Sequence, residues 1–210
     1  MDISDDMAAR AGRTYRGATI AWGRGECYDF DNPNPEIIDI EDVAYALAFT
    51  VRWRGQTRFR GQRCFYGVGQ HCVFGAEELL AAGYGGRAAF AFLWHEPDEV
   101  VLPDFPGPAK ACLSEFKPFA KRQGDALLDR FGYRPASDLP DLVKRWDLRM
   151  MTTEKRDLMP GHEADTFHSS ARTSISEVEF PAFEREIVPY AHPEIAARRW
   201  LELYWQLGGA

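Results

Sequence analysis

Apolar residues return every three or four positions along IDIEDVAYALAFTVRW, at Ile40, Val43, Ala44, Leu47 and Val51. That period predicts an amphipathic helix. Asp39 or Asp42 is placed to cap it, because a carboxylate there accepts from the free N–H groups of the first turn. A second helix is expected from about Gly67 to Ala82, with Val68, Cys72, Phe74 and Leu79 apolar and His71 among them. GYGG ends that run. RAAFAFLWHE, residues 87–96, is apolar nearly all round, which marks a buried central helix. VLPDFPGP cannot be regular helix, since proline lacks the backbone donor and clashes with the turn before it. A long helix is expected from about Ala109 to Phe131, ended by Gly132. Another starts at Ser137 or Asp138 as cap, with Pro140 in its first turn, and runs to Met159. HPEIAARRWLELYWQL predicts a terminal amphipathic helix with Ile195, Trp200, Leu203 and Tyr204 inward.

The remaining segments carry weaker patterns. TYRGATIAW reads as a strand and DFDNPNPE as turn chemistry. RGQTRFRGQRCFY, residues 54–66, is glycine-punctuated and basic, a loop or short irregular piece. Residues 160–190 are polar and mixed, with short strands possible near 172–180. The expected architecture is therefore mainly α, a helical bundle in one domain. Its parts are an N-terminal arm (1–25), a core (26–160) and a C-terminal extension ending in a helix (161–210).

Composition narrows the function classes. The chain has 210 residues with 25 basic against 32 acidic side chains, a formal net charge of −7. That balance argues against binding nucleic acid or a membrane through charge. No apolar run reaches the ~18 residues of a spanning helix, and the first residues lack the apolar segment of a signal peptide. Cys27, Cys64, Cys72 and Cys112 form no CxxC pair. Reduced thiols and a cytoplasmic location are expected.

Ionisable residues then appear where the pattern calls for apolar ones. His71 lies in the second helix, His95 and Glu96 end the most apolar one, and Asp147 follows Trp146 in the fifth. Two imidazoles and two carboxylates suit a divalent ion of Mn, Fe, Co, Ni or Zn type. Adjacent helical residues point about 100° apart, so His95 and Glu96 share an ion only in the sector between them. Glu99 lies one turn beyond His95 on the same face. The zincin pattern H-E-x-x-H is absent, because its last position is Glu99. The plainer reading is a hydrogen-bonded His71, a solvated helix end at His95–Glu96 and an exposed Asp147; spacing alone leaves both open. Arg52, Arg54, Arg58, Arg60 and Arg63, five arginines within twelve residues, are the local candidate for phosphate recognition.

The motifs together resemble the HD superfamily of metal-dependent phosphohydrolases. The likeness is to its compact bacterial and phage members, 5′-deoxynucleotidases and phage dATP triphosphohydrolases. IDIEDVAYAL (38–47), YGVGQH (66–71), LWHEPDE (93–99), PDFPGPAK (103–110), VKRWD (143–147) and TTEKRDLM (152–159) follow that group's order and spacing, from about Gly25 to Met159. The resemblance implies an HD-domain helical bundle and one divalent ion (Mn, Co, Fe, Ni, Zn or Mg) on His71, His95, Glu96 and Asp147. It implies Glu99 as general acid/base, Asp104 as the residue orienting the water, and Lys110 as a phosphate contact. Glu154 is expected to be structural, paired with an arginine. Arg52-Trp53 matches the family's substrate-binding Arg-Trp pair but lies further from His71. The repeated Gly-Gln at 55–56 and 61–62 points to a short insertion, and Arg58-Phe59 competes for the match.

One departure stands out: the HD aspartate is Glu96, followed at once by Pro97, where the helix is expected to kink or end. The implied activity is hydrolysis of a deoxynucleotide, either a monophosphate to nucleoside and phosphate or a triphosphate to nucleoside and triphosphate. The alternative is a catalytically weakened, nucleotide-binding regulatory protein, motivated by Glu96. A hydrolase of cyclic or signalling nucleotides is a third reading. The resemblance also implies a homo-oligomer, a dimer or larger. His162, Glu163 and His168 are candidates for a second metal site or a polar surface loop.

Overall fold

The computed structural model describes residues 17–134, 139–161, 167–170, 173–175 and 179–209. Two compact units divide the chain after Ile37. In the first, β1 (Thr19–Ala21) and β2 (Cys27–Asp29) pair antiparallel, Ile20 opposite Tyr28. Asn34 ties the returning chain to β2: its Oδ1 accepts from Asp29 N at 2.8 Å and its amide donates to Cys27 O at 3.0 Å.

The second unit is helical. Its α-helices are α1 (Ile40–Phe49), α2 (Val68–Ala81), α3 (Gly86–Leu93), α4 (Gly107–Ala111), α5 (Phe116–Arg130), α6 (Pro140–Leu158) and α7 (Pro193–Gln206). Both predicted caps of α1 act together: Asp39 Oδ1 accepts from Asp42 N at 2.8 Å and Asp42 Oδ2 from Asp39 N at 3.1 Å. That reciprocal box satisfies two orphan donors. α2 is the central helix, with Val68 to Ala76 continuously buried. It packs on α1, α3 and α7. A Cβ at Gly69 would stand 2.8 Å from Ala48 Cα, so only glycine lets α2 approach α1 this closely. α7 closes the core as the amphipathic pattern predicts. The Trp200 indole N–H donates to Leu93 O at 3.1 Å, which satisfies a carbonyl left free where α3 ends.

Three expectations are corrected. The apolar helix does not reach Glu96: α3 ends at Leu93, and Glu96 takes φ −117°, ψ 53° ahead of the 3-10 turn Pro97–Val100. Proline disfavours the α conformation in the residue before it, so the helix ends early. The helix expected over 109–131 is two helices, α4 and α5, separated by residues 112–115. Pro118 explains the break: within one helix its ring would clash with the carbonyl of Ser114, whereas in the first turn of α5 it costs little. Residues 54–66 are not merely irregular. β3 (Arg58–Phe59) and β4 (Gln62–Arg63) form a hairpin turned at Arg60 and Gly61, both with positive φ.

β5 (Phe167–Ser170) and β6 (Thr173–Ile175) pair antiparallel. From 180 to 190 the chain has no regular element, yet α6 and α2 hold it by side chains. Thr152 Oγ1 donates to Phe180 O at 2.8 Å, Thr153 Oγ1 accepts from Phe183 N at 2.9 Å, and Asp157 Oδ2 accepts from Ile187 N at 2.7 Å. Gln70 bonds both Val188 O and Tyr190 N. No described helix is long and apolar enough to cross a membrane. Ser137, Asp138, His162 and Glu163, and the side chain of His168, lie outside the described residues.

Candidate metal centre and its cavity

His71 is wholly buried in α2, its ring bracketed by two carboxylates of α6. Nδ1 lies 2.6 Å from Glu154 Oε1, and Nε2 lies 3.6 Å from Asp147 Oδ1. Asp147 and Glu154 are seven residues apart, two helical turns, and so share one face of α6. His95 follows α3, and its Nδ1 lies 2.6 Å from Phe92 O. A carbonyl can only accept, so that nitrogen carries the proton. Glu154 is held at about 2, since Arg52, His71 and its hydrogen bonds outweigh the upward push of burial. It is therefore ionised at neutral pH, and His71 Nδ1 is also the donor.

In the neutral rings, with Nδ1 as the donor, both Nε2 atoms are acceptors, and they face each other at 3.1 Å. Neutral lone pairs do not converge like this without a cation or proton between them. The separation suits neighbouring ligands of one ion, each ~2.1 Å from it. Glu96 Oε1 lies 3.5 Å from His95 Nε2, and Asp147 Oδ1 lies 4.0 Å from it. His71, His95, Glu96 and Asp147 each offer one ligand atom, all within 4.8 Å of one another. The four residues singled out by sequence are thus one cluster. The glutamate reaches it from the non-helical link before Pro97, so the angle between adjacent helical residues does not apply.

The electrostatics match a site built around positive charge. Burial, then Glu99 and Asp147 beside it, push the Glu96 carboxyl well above the usual range. Burial and the facing His71 ring lower His95 to about 3. Burial works to raise Asp147, but Lys144, His95 and His71 hold it below the usual carboxylate range. Two close carboxylates that resist joint ionisation accept it readily beside a divalent cation.

Glu154 is the residue whose importance sequence reasoning underrated. The expected arginine partner is Arg52, whose Nε and guanidinium donate to Oε2 at 3.2 and 3.1 Å. The Trp53 indole N–H donates to the same oxygen at 2.7 Å, and the Tyr66 hydroxyl to Oε1 at 3.0 Å. One buried carboxylate therefore orients a candidate ligand histidine and anchors the Arg-Trp pair. Its signal was the seven-residue spacing from Asp147.

The cluster borders a cavity of about 820 Å³. Arg52, Trp53, Glu99, Asp104 and Lys110 all line it, whereas Arg58 does not. Arg58 is exposed on β3 and donates to Gly61 O. Glu99 is 2 % exposed, in the turn after Pro97; its Oε1 accepts from Lys110 Nζ at 3.3 Å, and its Oε2 has no hydrogen-bond partner among the described residues. Burial and nearby Asp104 raise it to about 7 against the pull of Lys110. The cavity also takes in Arg54, one of the five candidate phosphate-binding arginines, and residues the sequence reading did not choose: Lys144 and an apolar wall that includes Phe105, Pro106 and Met151. Lys144 had a legible cue, since it precedes Asp147 by three helical positions and bonds it at 2.9 Å.

Fold and site together define a mainly helical protein with a cluster of two histidines and two carboxylates, His71 buried and the others partly so, opening on a ligand-sized cavity. No protein-family model matches the chain. The chain is 39% identical over 132 residues to an uncharacterized protein of Rhodobacter capsulatus, covering 60% of this chain and 64% of that protein. The similarity carries no statement of activity.

Proposed function

We propose that this protein is a metal-dependent phosphohydrolase of the HD type, acting on a deoxynucleotide. The observation that carries the reading is the pair of imidazole Nε2 atoms 3.1 Å apart, each ring hydrogen-bonded through its Nδ1. With Glu96 and Asp147 they form a donor set that fits a divalent ion of the Mn, Fe, Co, Ni or Zn class. Such an ion, when bound, supplies Lewis acidity toward a phosphoryl oxygen. Glu99, raised to about 7, keeps a substantial protonated fraction at neutral pH, and its unpartnered Oε2 is the atom that hands a proton to the departing oxygen. Asp104 lines the same cavity and orients the attacking water. Lys110 holds Glu99 in place.

The test is phosphate or polyphosphate release from a panel of dNMPs and dNTPs with Mn, Co, Ni and Mg. Release well above a His95→Ala control is expected; release no greater than that control rejects the reading. Nucleotide binding by a protein that holds no metal, judged by elemental analysis, would instead make it a binding or regulatory protein.

A further inference from the structure

Five hydrogen bonds converge on the Glu154 carboxylate, and its two oxygens face different surroundings. Oε2 accepts from Arg52 and Trp53, both of which line the cavity. Oε1 accepts from Tyr66 and His71, both wholly buried and neither part of the cavity wall. Arg52 and Trp53 can meet a ligand in the cavity directly; Tyr66 cannot. The proposed chemistry gives its hydroxyl no task.

Tyr66 is nonetheless tightly held. Its carbonyl accepts from Arg52 N at 3.0 Å, beside the bridge that pairs Val51 with Gly67 just ahead of α2. Its hydroxyl donates to Oε1 at 3.0 Å, the oxygen that His71 Nδ1 approaches at 2.6 Å. A carboxylate oxygen has two lone pairs in its plane, so these two donors fill it and fix the direction from which His71 is held. Three bonds pull on the opposite oxygen, and the tyrosine balances them.

We propose that Tyr66 is a positioning residue of the metal centre. Through Glu154 it holds the His71 ring with Nε2 aimed at His95, and so raises metal affinity without itself lining the cavity. This rests on reading the cluster as a metal site. When an ion draws electron density from Nε2, the Nδ1–H bond to Oε1 strengthens. A carboxylate already held in place gives that gain at a lower ordering cost. Without the hydroxyl, Glu154 turns toward Arg52 and Trp53, and its bond to His71 lengthens.

Calorimetric titration of Mn into the nucleotide-free protein tests this without any need for turnover. Tyr66→Phe keeps the ring and loses one oxygen. It weakens Mn binding about tenfold, the low end of the effect of losing a group that orients a ligand histidine. In a Glu154→Gln background the same change has no further effect, because the carboxylate it acts through is gone. Proton NMR of the Zn-loaded, diamagnetic protein supplies a signature that needs no second variant: in Tyr66→Phe the His71 Nδ1 proton moves upfield as its bond lengthens. A tyrosine that only filled space would leave that proton in place, since phenylalanine fills the same space. Unchanged Mn affinity in Tyr66→Phe, an equal loss in the Glu154→Gln background, or a His71 proton that stays or moves downfield overturns the assignment. When wild type still releases phosphate, the hydrolase reading survives that result. Tyr66-dependent Mn binding in a protein that releases no phosphate sinks the hydrolase reading and leaves the role of Tyr66 standing. A wild type that binds neither metal overturns both.

Discussion

At the scale of single residues, the proposed chemistry depends on two glutamates with opposite environments. Glu154 is fully buried and fully bonded, held at about 2. Glu154→Gln leaves Arg52 without its countercharge in the interior, at a cost of about 3–5 kcal/mol in urea denaturation. It also weakens metal binding 10–100-fold, as loss of a ligand-orienting carboxylate does; a metal titration checks this. Glu99 is buried with a bare oxygen and raised from 4.5 to about 7. Its raised value favours the folded state below about pH 4.5, and that advantage is lost as pH rises to about 7. His95, lowered to about 3 from its ordinary 6.5, acts in the opposite sense: stability grows as pH climbs through that window. In the metal-free protein His95 is opposed by Glu99, and by the likewise raised Glu96, between about pH 4.5 and 6.5. Glu99→Gln removes one of the opposing carboxyls, so stability rises more steeply, or falls less, with pH in the variant than in wild type across that interval. At pH 8 it is more stable than wild type and catalytically weaker. Denaturation series at several pH values read both effects.

At the scale of elements, the prolines and glycines decide where the site residues stand. Pro97 ends α3 early and sends His95 and Glu96 into a non-helical link. α5 braces the turn that follows: a Cβ on Gly124 would come within 3.0 Å of Pro97 Cγ. Gly124→Val is expected to cost about 1–3 kcal/mol through overpacking. It should weaken metal binding as well, because the turn carrying Glu99 and the link carrying Glu96 both shift. Loss of stability with unchanged metal affinity would show that the link holds its shape without α5. The same logic explains TTEKRDLM on α6: Thr152, Thr153 and Asp157 bind the 180–187 segment while Glu154 faces His71.

At the scale of the whole molecule, the cluster draws its ligand atoms from α2, the link after α3, and α6. An ion bound there joins segments far apart in sequence, so it stabilises the folded state by mass action. At a hundred times Kd the gain is about 2.7 kcal/mol, or roughly 5–10 °C in Tm for a chain of this size. Mn or Co is expected to raise the Tm and a chelator to reverse it, with neither effect in His95→Ala; thermal unfolding with and without EDTA checks this.

Much of this was legible in one dimension. Local periodicity sets which face of a helix is apolar, so α1, α2 and α7 could be read from Val43, Leu47, Val68, Leu79, Trp200 and Leu203. Ordered motifs marked His71, His95, Glu96 and Asp147, because ionisable residues in apolar runs need a partner. Other features needed the third dimension. Neither the 3.1 Å approach of the two imidazoles nor the choice of Arg52-Trp53 over Arg58 for the cavity is a local property; both depend on how α2, α3 and α6 pack. Glu154 gathers His71, Arg52, Trp53 and Tyr66 across separations of 83 to 102 residues. Hydrogen bonds over such spans follow from tertiary packing, which brings together side chains that no local pattern relates.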